Sequence, residues 1–509
     1  MRAAPDATLA SRLSQLGAIS VFAFLVVLPL AIGLAAYSPV LVLQGDDIAF
    51  VDRLAQQLRW LPGAYEFLRA AIRGGLPLAD PFRRVLAATL PLAVASVAML
   101  MAIREVQSDH PDSHLASADR VAWRVAVLLA VIAVFAFPTY TPDFWLSIAW
   151  GRMLAEGQNP YYAPFTPDVF QHLPGSGFEP QERFTYGPLW AFLIGGIGRL
   201  SGRRELLEFL LHKLVLTAAW LGTLATLRRV AGRRGAKSRL LVTCLVGWLP
   251  AGVYFAVAEG HNDVVMVFFL SLWLEAVDRR DHRYAPVWLA CSGLMKFITL
   301  PLIGLELLAA RRAGVLFTRR YLVTLAACGI GTFLSLLTFF DGPGFLGATR
   351  TMQEWIFWVP TTYVVNVAAL AGLSLPREPV DRIITILGMA LTALVLFKAL
   401  RRPGWDTWVA GALAVTTCVL LTLVGHVWPW FTLWLIPFLA IMWPGRSAGV
   451  VLAFLLMVPL LDLAWILAPD WRFRPVVGMS VYTCVLVAMV YLLLGGRTAT
   501  EPLGIGELP

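Results

Sequence analysis

The sequence is short of charged residues and of cysteines, and each shortage limits what the chain can be. Only 14% of the 509 residues are Asp, Glu, Lys or Arg, whereas about a quarter are charged in a typical soluble domain. The 5 cysteines all lie inside apolar runs without CxxC spacing, so we expect neither disulfides nor a structural metal site. The chain also lacks a GxxxxGK[ST] phosphate loop and an HExxH motif, which argues against an ATP-driven motor and a zincin protease.

Apolar residues are abundant instead. They make up 58% of the sequence, and the mean hydropathy is +0.71. Apolar runs recur along the whole chain, and about 18–20 such residues cross a bilayer as a helix. We therefore predict an all-α, polytopic transmembrane bundle of about 12–14 spans. A β-barrel is not expected, since its strands would show only weak alternating segments.

The basic residues set the predicted orientation. The loop 227–239 holds six Lys or Arg, and further basic loops lie at 279–283, 311–320 and 398–403. Cytoplasmic loops carry an excess of Lys and Arg. We therefore expect a protein of the cytoplasmic membrane whose basic loops and two termini lie on the cytoplasmic side. The net charge of +9 thus reflects membrane topology and does not predict a nucleic-acid partner.

Fitting apolar runs between the basic loops gives a provisional map of the spans. Their approximate ranges are 18–36, 85–103, 122–138, 207–227, 240–257, 262–277, 284–296, 298–310, 321–340, 381–400, 407–425, 430–443, 447–464 and 475–494. The halves of 284–310 are each too short to cross alone, so we expect a broken hairpin or a re-entrant pair. The loops 37–84 and 139–206 fall outside, and their apolar stretches, including 187–200, are expected to be helices in the membrane interface.

Polar residues that are hard to explain as loop filler gather on the predicted outer side. They occur at 143–159, 179–190, 259–263, 296, 351–366 and 425–431. The predicted orientation rests on Lys and Arg in other loops, so this grouping is independent of it. Ionisable residues at membrane depth are costly and mark functional cavities, and we expect these segments to converge on one outward-facing site.

Asp143 is the candidate catalytic residue. A carboxylate within reach of a substrate hydroxyl can act as a general base, and a helix N-terminal cap is the alternative interpretation. Arg152 and Glu156 have the spacing of an ordinary i,i+4 ion pair on one helix. Gly157 and Pro160 predict the end of that helix, which leaves Asn159 and Tyr161 facing the outer cavity.

The candidate binding residues are cations and their neighbours. His261, Lys296 and His426 are suited to an anionic group such as a phosphate. Asn262 and Asp263 join His261 as site candidates, although a capping turn that starts the sixth span also fits them. Lys296 could instead extend its ammonium group to the interface. The aromatic residues around His426, Trp428 among them, fit either stacking on a sugar ring or anchoring at the interface.

The order of these motifs resembles the GT-C superfamily of integral-membrane glycosyltransferases, in particular the bacterial polyprenyl-phosphate-mannose-dependent α-mannosyltransferases. The matching stretches, within residues 120–445, are Asp143-Phe144, Gly151-Arg152, Gly157-Gln158-Asn159-Pro160-Tyr161, Tyr186-Gly187-Pro188-Leu189, His261-Asn262-Asp263 and Trp428-Pro429-Trp430. The resemblance implies a catalytic membrane core at 121–445, a two-span region with a long outer loop at 1–120, and C-terminal spans with a short cytoplasmic tail at 446–509.

The resemblance also implies a reaction. A hexose, expected to be mannose, passes from a polyprenyl-phosphate donor to a glycan or glycolipid of the cell envelope on the outer face. Asp143 is then the base, and Tyr186 joins the residues that bind substrate. No cofactor is expected, although a divalent cation held by Asp143, Asp263 and waters stays open. The alternatives are a lipid-linked sugar flippase and an envelope-polysaccharide polymerase or ligase.

Overall fold

The structure is a computed structural model of the chain. It describes residues 81–108, 112–136, 138, 143–163, 173, 184–341, 361, 364–365, 368–369, 371–401, 405–422, 428–443, 445 and 448–457. Every regular element in these ranges is a helix, which confirms the predicted all-α class. The predicted spans 18–36 and 475–494, most of the loop 37–84, and His426 lie outside the described residues.

The helices are numbered along the chain. The first five are α1 (Pro81–Gln107), α2 (Asp112–Val134), α3 (Asp143–Ala155), α4 (Pro188–Ser201) and α5 (Glu205–Gly232). The next group is α6 (Ala236–Gly247), a helical turn (Pro250–Gly252), a π-helix (Val253–Ala258), α7 (Asp263–Asp278), α8 (Ala285–Met295), a 3-10 helix (Phe297–Leu302), α9 (Ile303–Arg312) and α10 (Arg319–Phe339). The last are α11 (Arg377–Arg401), α12 (Trp405–Thr422), a second 3-10 helix (Pro429–Leu435), α13 (Ile436–Met442) and α14 (Ala448–Met457).

Several helices are long and apolar enough to cross a membrane. Among the described residues these are α1, α5, α10 and α11, and α6 joins them if its 51° bend into Pro250–Ala258 lies within one span. In α10 and α11 only 6% of the apolar window is buried, so these two helices present apolar side chains on nearly every side. Such surfaces need lipid as their solvent, and the chain is accordingly a membrane protein.

The core is built on α5, α6 and α7. Helix α5 packs against both α6 and α7, while α2 packs on α6 and α8 packs on α7. Large aromatic side chains fill the space between them, and Trp220, Trp248 and Trp273 are fully buried. The indole N–H of Trp248 donates to the carbonyl of Ala122 at 3.0 Å, which satisfies the one polar atom of that ring.

Glycines allow α3 and α4 to approach closely. A side chain at Gly198 would lie 2.4 Å from the carbonyl oxygen of Gly151, and one at Gly151 would lie 2.8 Å from that of Ile194. Helix α4 begins with Pro188 at its first turn and ends beside Gly202, whose φ is +54°. The segment predicted as an interfacial helix at 187–200 is thus helical, and one of its faces packs on α3.

The predicted break in 284–310 is present. Helix α8 ends at Met295, and Lys296 is extended with φ −155° and ψ 119°. The 3-10 helix then leads into α9, which packs back against α8. In α9, Glu306 lies 3.6 Å from His282, just before α8 begins. The segment is therefore a hairpin whose tip carries Lys296.

The long helices separate the two ends of the bundle. Lys213 lies near the start of α5 and Arg229 near its end, which at 1.5 Å per residue puts them about 24 Å apart. Helix α7 likewise starts at Asp263 and ends at Asp278. We call the end with Asp263 and Lys213 the site end, and the end with Arg229 and Asp278 the basic end.

Candidate active site

Asp143 and His261 form the centre of the site. Asp143 is the first residue of α3, and its carboxylate oxygen Oδ2 lies 3.2 Å from Nδ1 of His261. The Asp143 side chain is 23% exposed, while that of His261 is fully buried. An imidazole on the inner side can orient the carboxylate, and the exposed side of the carboxylate can meet a substrate hydroxyl. This arrangement suits a general base.

A sharp turn delivers His261 to this position. The π-helix Val253–Ala258 ends at Glu259, whose N–H donates to the carbonyl of Tyr254 at 2.8 Å. The N–H of His261 donates to the carbonyl of Phe255 at 3.1 Å. Gly260 between them has φ +75°, which favours glycine. A side chain there would lie 2.4 Å from the ring of Phe144. The turn thus packs directly on the start of α3.

Three parallel rings support the imidazole. The ring of His261 stacks on Trp430 with centroids 4.0 Å apart and planes 11° apart. Trp430 in turn stacks on Trp428, with centroids 5.1 Å apart. Because both indoles come from the start of the second 3-10 helix, the late part of the chain fixes the plane of the imidazole. Trp430 is buried and Trp428 is partly exposed.

Lys296 and Asp263 form the second charged pair. The Lys296 ammonium lies 2.9 Å from Oδ1 of Asp263, which also accepts the indole N–H of Trp434. The same ammonium lies over the ring of Phe431 at 4.2 Å and near that of Tyr186 at 5.5 Å. The second carboxylate oxygen of Asp263 is buried and has no hydrogen-bond partner in the described part of the chain.

Two predicted site residues hold the surrounding loops. Asn159 donates its side-chain amide to the carbonyl of Phe339 at 2.9 Å, which joins the end of α3 to the end of α10. The hydroxyl of Tyr161 donates to the carbonyl of Tyr186 at 2.8 Å. Burial raises the pKa of Tyr161, so this hydroxyl stays protonated. Their direct contact with substrate remains a prediction, as does that of Asn262, the residue before α7.

The predicted ion pair between Arg152 and Glu156 is wrong. Arg152 makes two hydrogen bonds of 2.8 and 2.9 Å to Oε2 of Glu208, and this pair is buried. Glu156 pairs with Arg203 instead. Helix α3 packs against the start of α5, so a partner on that helix outcompetes one a single turn along α3. The role of Arg152 is thus to join two helices near the site.

The sequence interpretation missed a buried lysine on α5. Lys213 is fully buried beside the site, and so are Glu208 and His212 on the preceding turn. All three lie in ELLEFLLHKLVL, a run whose hydropathy predicts only the start of a span. Three ionisable residues in six positions of an apolar run were the available signal, since such residues are functional candidates by default.

Metal ligands are not clustered in the part of the chain that the structure describes. The described residues contain no group of three or more His, Cys, Asp or Glu that could hold a metal ion. Asp143 and Asp263 are paired with His261 and Lys296 respectively. The expectation of no cofactor, with a divalent cation left open, stays a prediction.

A known family matches the part of the chain that carries most of this site. Residues 60–312, about half of the chain, match the MptA_B family, described as alpha-(1->6)-mannopyranosyltransferase, N-terminal domain. The matched range includes Asp143, His261, Asp263 and Lys296, and it confirms the resemblance to mannosyltransferases. No curated protein sequence matches the chain.

Proposed function

Since residues 60–312 belong to the alpha-(1->6)-mannopyranosyltransferase family, we propose that the chain transfers mannose from a polyprenyl-phosphate donor to a cell-envelope glycan or glycolipid. The observation that carries the proposal is the contact of 3.2 Å between Asp143 and His261. It supplies a partly exposed base with a buried partner to orient it. The family match also favours a transferase over the flippase and the polymerase or ligase considered from the sequence.

Asp143 is the general base of this reaction. Its carboxylate takes the proton of an acceptor hydroxyl while the hydroxyl oxygen bonds to the anomeric carbon of the donor. The bond between that carbon and the phosphate oxygen breaks, and the polyprenyl phosphate leaves with the electron pair. A single displacement of this kind inverts the configuration at the anomeric carbon.

Lys296 is the cation that stabilises the leaving phosphate. Its ammonium has three donors, and one of them points to Asp263 at 2.9 Å. The side chain is 12% exposed, and the rings of Phe431 and Trp434 flank it. A preorganised cation in such a water-poor setting stabilises developing negative charge strongly. Phosphate contacts by His261 and His426 are part of the same proposal, and the described neighbours of His261 include Asp143 and Trp430.

The proposed orientation of the bundle supports a lipid-linked donor. The basic end carries the six-cation loop 227–239, and the positive-inside bias puts that end in the cytoplasm. The site end then faces outward, where nucleotide sugars are absent and a lipid-linked sugar is the available donor. Helices α10 and α11, which are largely unburied, give a lipid donor a membrane-embedded surface to approach.

The test is a donor comparison with the purified full-length protein in liposomes. The acceptor probe is octyl α-(1→6)-dimannoside, and the donors are radiolabelled polyprenyl-phosphate mannose and radiolabelled GDP-mannose. We expect label to move to the acceptor from the lipid donor only, with inversion at the anomeric carbon. Transfer from GDP-mannose alone would contradict the proposed donor, and an absence of transfer from both would contradict the proposed function.

A further inference from the structure

Lys213 makes contacts that the reaction described above does not use. Its side chain is fully buried in α5. The ammonium donates to the carbonyls of Val257, at 2.8 Å, and of Ala258. It also lies over the rings of Phe144 and Phe209, at 5.2 and 5.5 Å from their centroids. A buried lysine is costly unless it is well partnered, so its presence here needs a reason.

The two carbonyls lie at the C-terminal end of the π-helix, which leads to His261. Carbonyls in the last turn of a helix have no further helical N–H groups to pair with, and here the chain turns away at Gly260, whose φ is +75°. Lys213 supplies donors to these carbonyls. Three residues beyond Ala258 the chain reaches His261, so the lysine fixes the base of the turn that presents the imidazole.

The same ammonium contacts the start of α3. Phe144 is the neighbour of Asp143, and its ring lies close both to the ammonium group of Lys213 and to the turn at Gly260. Lys213 therefore contacts the element that carries the base and the element that carries its imidazole partner. Glu259 is the facing acidic group. It attracts the ammonium, and its carboxylate accepts the hydroxyl of Tyr254 at 3.2 Å.

We propose that Lys213 is a positioning residue for mannosyl transfer, which sets the geometry of Asp143 and His261 by holding the end of the π-helix against α3 and α5. The inference rests on the proposed function. Lys213 touches neither donor nor acceptor in this account. Its loss should therefore lower kcat with little effect on KM.

The first variant is Lys213→Met, which keeps the length of the side chain and removes its donors and charge. If the turn moves by about 1 Å in this variant, kcat should fall by about 10²-fold. The KM for polyprenyl-phosphate mannose should stay unchanged. Lys213→Arg keeps the charge and the donors, and we expect it to recover at least about tenfold of that loss. The matched control is Lys237→Met at the basic end. Lys237 also donates to two backbone carbonyls, those of Gln107 and Ser108, and its loss should leave kcat unchanged.

A double-mutant cycle separates positioning from general destabilisation. In an Asp143→Asn background, Lys213→Met should cause no further loss, because the group that it positions is already gone. A wild-type kcat in Lys213→Met, or an additive loss in the Asp143→Asn background, would overturn the inference. If Lys213→Met does not accumulate as a folded protein, a folded Lys213→Arg protein whose KM rises while kcat is unchanged would overturn it too. Wild-type protein that transfers no mannose would instead contradict the proposed function.

Discussion

The two ends of the bundle use charge in different ways. At the basic end, carboxylates are paired with guanidinium groups. Asp119 lies 2.6 Å from Arg228 and 2.9 Å from Arg239, and it accepts the hydroxyl of Thr243 at 2.8 Å. Glu275 lies 2.7 Å from Arg229. These carboxylates have strong, multiple donors, which is what a structural ion pair requires.

The site end also contains guanidinium–carboxylate pairs, Arg152–Glu208 and Arg203–Glu156, but the groups assigned to the reaction have fewer charged partners. Asp143 faces a single imidazole at 3.2 Å and is partly exposed, and Lys213 is bound by neutral carbonyls. Lys296 has one described counter-ion, Asp263, and the rings of Phe431 and Trp434 flank its ammonium group. A partly exposed carboxylate without a guanidinium partner is open to a substrate hydroxyl, and an ammonium group with one counter-ion has further donors for an anion. In the proposed mechanism the site end performs the chemistry, and the ion pairs of the basic end serve to stabilise the fold.

The largest expected effect is that of Asp143→Asn. Removal of a general base lowers kcat by about 10²–10⁴-fold, and the amide keeps the size of the side chain. The matched control is Asp278→Asn at the basic end, where the carboxylate pairs with Arg233 near the surface. The kcat of both variants is measured from mannose transfer with polyprenyl-phosphate mannose as the donor. A wild-type kcat in Asp143→Asn would remove the carboxylate from its proposed role.

The converse experiment is Asp119→Ala, which should affect stability and leave the reaction intact. The substitution leaves the partly buried guanidinium of Arg228 without its counter-ion, and breaking a buried pair costs up to about 3–5 kcal/mol. Thermal unfolding in detergent should show the loss, while kcat per folded molecule stays at the wild-type value. A selective fall in kcat without destabilisation would break the division between the two ends.

Lys296→Met should weaken the handling of phosphate. Loss of a charged hydrogen bond costs about 1.5–3 kcal/mol, so kcat/KM for the lipid donor should fall by about 10–100-fold. The variant also leaves Asp263, which is 1% exposed, without its cation. Lys296→Met combined with Asp263→Asn removes that buried charge and serves as the control for folding. Recovery of kcat/KM in the double variant would show that Lys296 matters only through Asp263.

Gly198→Ala should have the smallest effect, since it acts on packing alone. The added methyl would lie 2.4 Å from the carbonyl oxygen of Gly151 and would push α4 away from α3. Overpacking of this kind costs about 1–3 kcal/mol. Gly196→Ala on the same helix is the matched control, because nothing lies within 4 Å of its added methyl. Equal melting temperatures for the two variants would argue against the close helix contact.

Much of this architecture could be predicted from residue patterns. The shortage of charge and the repeated apolar runs predicted the helical membrane fold. The short halves of 284–310 predicted the hairpin that brings Lys296 to the site end. The convergence of Asp143, His261 and Asp263 was predicted from the side of the membrane assigned to each loop, and the structure places these residues close together.

Long-range pairing could not be predicted in the same way. Arg152 and Glu208 are 56 positions apart, whereas the local rule pointed to Glu156, four residues along the same helix. The π-helix before Glu259 leaves no periodic signature in a stretch that is apolar on all sides. Lys213 could have been identified from the sequence. A span assigned from mean hydropathy hides it, because a single charge changes the mean over an apolar window very little.

The central claim is that the two ends face opposite sides of the membrane, with the chemistry outside. Cysteine labelling tests it directly, with Glu156→Cys at the site end and Arg279→Cys at the basic end, both at exposed positions. A membrane-impermeant maleimide added to intact cells should label position 156 and should reach position 279 only after the cells are opened, with the wild-type protein as the background. Labelling of position 279 but not of position 156 in intact cells would contradict the account.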